Sequence, residues 1–113
     1  MDLLERWVKK MLNILGQEYN MQVSDALPDD TDGLCQTYSK KIMVKPMEKM
    51  LDPTDTDDVK KKRFNEVCRH EIIHAFLFES GLIDECSDEQ LVNYLAMQMP
   101  KLIELFRMQN CLE

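Results

Sequence analysis

The stretch from Asp52 to Gly81 constrains this chain more than any other. Asp52-Pro53-Thr54-Asp55-Thr56-Asp57-Asp58 offers several capping oxygens and first-turn carboxylates, and Gly81 after Ser80 offers a left-handed stop. The pattern predicts one long helix, roughly Asp57 to Ser80, against which everything else has to pack.

Inside that helix stands His70-Glu71-Ile72-Ile73-His74. Residues four apart project from one helical face, so both imidazoles can reach a single ion. Zinc takes neutral imidazole nitrogens at about 2.0 to 2.1 Å, and a catalytic zinc keeps one position open for water. Glu71, next to His70 and three residues before His74, can lie beside the metal without ligating it, which is the place of a general base. Zinc brings the pKa of a bound water to near 7 and polarises a carbonyl, so the five residues predict hydrolysis of a peptide or other amide. With only two histidines in the chain, this spacing with a glutamate after the first arises by chance roughly twice in a thousand sequences.

A third ligand must come from elsewhere, and no third histidine exists. The longer motif that ends in a further histidine needs glycine at Leu77 and histidine at Ser80, and it fails at both. Downstream candidates are Asp84, Glu85, Cys86, Asp88 and Glu89. Glu89 is the expected ligand, because a residue on a neighbouring helix is held more rigidly than one on a turn. Glu89, Asn93, Ala96 and Pro100 form one stripe there, small Ala96 allows close approach of the helices, and Asn93 can support a ligating histidine from behind. Tyr38 and Tyr94 are candidate oxyanion donors, with burial and a satisfied hydroxyl the expected state of each. Cys68, two residues before His70, points away from the histidine face and is expected in the core.

Elsewhere, Leu3, Leu4, Trp7, Val8, Met11, Leu12 and Leu15 recur at helical spacing before Gly16 and predict an N-terminal helix. Tyr19 to Val23 reads as a short strand and Leu27 to Gly33 as a loop. Leu34 to Tyr38 and Ile42 to Val44 read as a hairpin ended by Pro46. A last helix opens near Ser87 through a capping box with Gln90 and meets Pro100, which either kinks it or starts a new segment. The plan is α+β: helix, small mixed or antiparallel sheet, long helix, C-terminal helix.

The 113 residues suffice for a single domain, expected to span 1–113. A net charge of −7 argues against nucleic acid, and the run Lys60-Lys61-Lys62-Arg63 reads as a solvated helix face. Charges scattered through Met1 to Trp7 leave no signal core or membrane span, so a cytoplasmic location is expected, with no membrane partner. Cys35, Cys68, Cys86 and Cys111 lack any close pairing and are expected as reduced thiols, and the nine methionines as core filler.

Val67 to Leu82, followed by Asp88-Glu89-Gln90-Leu91-Val92-Asn93-Tyr94, resembles short HExxH zinc metallopeptidases of phages and Gram-positive bacteria. These are minimal gluzincins, related in layout to the ImmA/IrrE metallopeptidases. The resemblance covers roughly Gly33 to Pro100 and implies a zincin-like fold with Zn2+ as cofactor. It implies His70, His74 and Glu89 as ligands and Glu71 as the catalytic residue. Asn93 stands where an aspartate is common. The segment from Asp32 to Val44 looks like the edge hairpin bordering the cleft, where a peptide could add as a strand. A protein or peptide substrate is the implied partner, with a regulatory protein partner beside it. The competing reading is a non-catalytic, zinc-stabilised interaction module, against which the retained Glu71 argues.

Overall fold

The computed structural model describes residues 10–113. The sheet is built from β1 (Lys10–Ile14), β2 (Gln17–Val23), β3 (Gly33–Gln36) and β4 (Lys41–Val44). Three helices follow: α1 (Asp57–Glu79), the single turn α2 (Ile83–Cys86) and α3 (Glu89–Met108), with a 3-10 turn at Met47–Lys49 before them. The architecture is α+β, as expected, and of the mixed or antiparallel sheet expected it is the mixed one that forms.

Strand order is β1-β2-β4-β3. The outer pairs are antiparallel, with Ile14 opposite Gln17 and Cys35 opposite Ile42, and the central pair is parallel, with Met21 beside Ile42. Alternation sets the buried face: Ile14, Tyr19, Met21, Ile42 and Val44 meet Phe64, Val67 and Ala75 of α1 in one core. The loop from 24 to 32 carries the chain to the far edge, so β3 borders the helices.

The expected N-terminal helix is corrected where it can be seen. Residues 3–9 lie outside the described residues, and Lys10–Ile14 is a strand. Leu15 and Gly16 form the two-residue hairpin turn, both with positive φ (50° and 91°), and the Gly16 N–H donates to the Asn13 side chain at 2.8 Å. A glycine that ends a helix and one that turns a hairpin both need positive φ, so Gly16 serves either. Pairing with β2 and burial of Ile14 decide between them.

α1 matches its prediction. The Thr56 hydroxyl accepts from Val59 N–H, and the C-terminus closes by Leu82 N–H to Leu77 O and Gly81 N–H to Phe78 O, with Gly81 at φ 83°. The basic run is not simply solvated. Lys60 is buried and donates to the Glu48 carbonyl at 3.0 Å, and Arg63 holds Asp32 through Nε and Nη2 at 3.1 and 2.9 Å. Only Lys61 and Lys62 stand in solvent.

α3 starts one residue later than the capping box implies. Ser87 N–H bonds back to the carbonyls of Ile83 and Asp84, which makes it part of α2's turn, and the Asp88 carboxylate caps Leu91 N–H at 3.1 Å instead. The helix then runs unbroken through Pro100. Proline has no N–H for the carbonyl four residues back, which here belongs to Ala96. Arg69 Nε donates to that carbonyl at 2.7 Å. The defect that proline introduces is thereby filled from the neighbouring helix.

Candidate metal site

On α1, one turn apart, His70 and His74 bring their Nε2 atoms to 3.1 Å with the rings 70° apart. Glu89, the first residue of α3, lays its carboxylate across both, Oε1 at 2.9 Å from His74 Nε2 and Oε2 at 3.1 Å from His70 Nε2. Glu71 is buried on the same side of α1, with Oε2 3.9 Å from His70 Nε2. His70, Glu71 and His74 thus form a group that could hold a metal ion.

The histidines are oriented from behind. His74 Nδ1 donates to the Cys86 carbonyl at 2.6 Å, and the Cys86 thiol donates back to the His74 carbonyl at 3.2 Å. With Nδ1 donating, the His74 ring turns Nε2 towards His70 and Glu89. Burial and the neighbouring His74 hold His70 below the usual imidazole range, against the pull of Glu89 and a hydrogen bond with Asn93. Lone pairs and a carboxylate converging within 3.1 Å suit a cation between them better than they suit one another.

Glu71 is held by the sheet. A Cβ on Gly33 would fall 2.8 Å from Glu71 Oε2 and 2.7 Å from Val67 Cγ1, so β3 can lie this close to α1 only where the chain carries glycine. The Arg63–Asp32 pair, backed by Lys45 Nζ at 3.5 Å from Asp32, fixes the residue just before it. In the metal-free site burial and the charge of Glu89 push the Glu71 carboxyl up to about 7.

Two cavities open on the cluster. One, of about 470 Å³, runs along Leu34, Cys35 and Thr37 of the β3 side and Cys86 and Ser87 of the helix side. The other, of about 310 Å³, lies towards Asp30, Asp32, Arg63 and Asn93. His70, Glu71 and Glu89 line both.

Of the candidate third ligands, Glu89 reaches the histidines. Asp84 and Glu85 are exposed on α2 and line neither cavity, Asp88 caps α3, and the Cys86 thiol is turned to a main-chain carbonyl. Asn93 falls beside His70. Tyr38 and Tyr94 are both exposed and line neither cavity, which corrects the expectation of buried tyrosines. Cys68 is half-buried against the core. The parts with no sequence signal are the Cys86 carbonyl and the role of Gly33. Any residue supplies a carbonyl, and a glycine demanded by close approach looks like one demanded by a turn.

Comparison with family models, curated proteins and solved structures returns no match.

Proposed function

We propose that the chain is a zinc-dependent peptidase with a minimal zincin-like fold, similar in layout to the ImmA/IrrE metallopeptidases. The observation that carries this is the convergence of His70 Nε2 and His74 Nε2, 3.1 Å apart, with the Glu89 carboxylate, whose two oxygens lie 3.1 and 2.9 Å from them, beside a buried Glu71. Two ligands of a tetrahedral zinc at its usual nitrogen and oxygen distances lie about 3.3 Å apart, so the three donors need move only by tenths of an ångström. Zinc held there supplies a Lewis acid that acidifies water and polarises a carbonyl.

The chain's own residues do the rest. Glu71 takes the proton of the attacking water and passes it to the leaving amine, a role that its burial beside His70 suits. The Cys86 carbonyl keeps His74 in its ligating tautomer, and Asn93 steadies His70. β3 pairs only with β4 among the described residues, which leaves an edge beside the cluster where a peptide can add as a strand. Nucleophilic catalysis by a thiol is disfavoured, because burial pushes Cys35 and Cys68 up to about 12.

One observation favours a second reading, a zinc-stabilised interaction module. α3 buries only Val92 and Ala96, so a metal joining Glu89 to α1 would contribute much of its docking. Bound zinc and hydrolysis of a peptide library, measured for the parent and for Glu71→Gln, separate the two. The peptidase reading expects about one zinc per chain in both and cleavage by the parent alone. Equal cleavage by both would sink the assigned role of Glu71, and full zinc with no cleavage of any peptide would favour the module.

A further inference from the structure

α3 carries a second surface, independent of the metal cluster. Val92, Leu95, Met99, Leu102 and Phe106 follow a 3-4-3-4 spacing, which draws a single seam along the helix. Its first part is covered by α1, where Val92 and Ala96 are buried. Beyond Ala96 no residue of the helix is buried, and Met99, Leu102, Leu105 and Phe106 are between 37% and 56% exposed. The charged residues of this half, Lys101, Glu104 and Arg107, all fall off the seam, and Glu104 and Arg107 pair with each other at 3.9 Å. Ile103 and Leu105 occupy the flanks where a coiled coil normally carries the charges that select a partner.

We propose that this half of α3 pairs with the same half-helix of a second copy, giving a weak, reversible dimer with the helices antiparallel about a twofold axis. Three observations select a second copy. First, a strip without flanking charges has nothing to favour a foreign partner or to repel itself, and twofold pairing needs only a self-complementary patch. An antiparallel arrangement sets Leu102 of one copy near Phe106 of the other. Second, the chain carries −7 overall, so two copies repel over most of their surface. From Met99 to Met108 the only charges are Lys101, Glu104 and Arg107, a net of +1, which lets two copies meet here without acidic groups facing one another. Third, the area suffices. At roughly 200 Å² for a large side chain, seam residues Met99, Leu102 and Phe106 together with flanking Leu105 offer about 350 Å² of apolar surface per copy. An interface about 65% apolar would then bury about 1,100 Å² in total, just above the roughly 1,000 Å² of a specific contact.

Pairing leaves the cleft open, since Glu89 lies two turns before the exposed half begins, and it holds α3 at both ends. The proposal does not depend on peptidase activity.

The test is sedimentation equilibrium of the zinc-loaded full chain over a range of concentrations, under reducing conditions so that exposed Cys111 cannot crosslink copies. The expected mass climbs from 13.3 kDa towards twice that value. Leu105→Glu, at a 56% exposed position that folding does not need, should keep the parent's circular dichroism and zinc content and raise the dissociation constant at least about tenfold. A parent that stays at 13.3 kDa throughout overturns the proposal. So does a dimer that Leu105→Glu and Leu102→Glu both leave at parental strength.

Discussion

A carboxyl in the position of Glu71 has opposing demands on it. On the proposed reading it would have to be dry enough to hold a proton and close enough to the ligand histidines to pass it on, and Gly33 allows both by letting β3 close over it. Gly33→Ala puts a methyl group into Glu71 Oε2 and Val67 Cγ1 at under 3 Å. We expect it to lower kcat about tenfold or more with little change in bound zinc, because the ligands are untouched; kinetics beside metal analysis checks the split. The raised pKa also shows in stability. A carboxyl that titrates at 4.5 unfolded and at about 7 folded contributes stability present in full below pH 4.5 and lost as pH rises through 7. In the metal-free protein that loss amounts to at most about 3 kcal/mol. Denaturant melts across this window should therefore show a smaller decline for Glu71→Gln than for the parent, and parallel curves would count against a buried Glu71.

At the scale of elements, Arg69 joins two helices at one atom. Its guanidinium serves the Ala96 carbonyl that Pro100 leaves bare, so Arg69→Met should expose an unpaired carbonyl and lower stability by about 1 to 3 kcal/mol. Pro100→Ala returns an N–H to that carbonyl, and in its presence Arg69→Met should cost markedly less; a double-mutant cycle by chemical denaturation reads the coupling. The long helix and its histidines were legible because caps, stop and spacing agree over twenty-three residues. Glu89 was legible for a related reason, since a stripe on the next helix has one geometry. The first strand was not, because Met11, Leu12 and Leu15 suit a helix as well as a hairpin, and only pairing with β2 distinguishes them. α2 was missed for its brevity: one turn between Gly81 and Asp88 carries no periodicity, yet its last carbonyl orients His74.

Across the whole molecule, the cluster gathers residues from α1, α2 and α3 and is closed over by β3. Metal binding should therefore stabilise the fold at large as well as the site. Chelation should lower the melting temperature of the zinc-treated parent by several degrees, and for Glu89→Ala the zinc-treated and chelated samples should melt closer together, as scanning calorimetry would show. Glu89 supplies the link between helices, so its loss should also loosen α3, seen as faster amide exchange from Val92 to Ala96. No described helix is long and apolar enough to cross a membrane.

The proline in α3 has one more consequence. A helix packed by apolar contact alone can slide by a turn at modest cost, because leucine and methionine accept many neighbours. The carbonyl bared by Pro100 accepts one, and Arg69 sits next to His70 in the chain. Moving the proline back by one residue would bare the Leu95 carbonyl instead, about 100° around the helix and out of Arg69's reach. The missing hydrogen bond thus works as an index mark. It fixes where α3 stops along α1, and so decides that the carboxylate arriving two turns upstream, opposite the two histidines, is the one borne by Glu89.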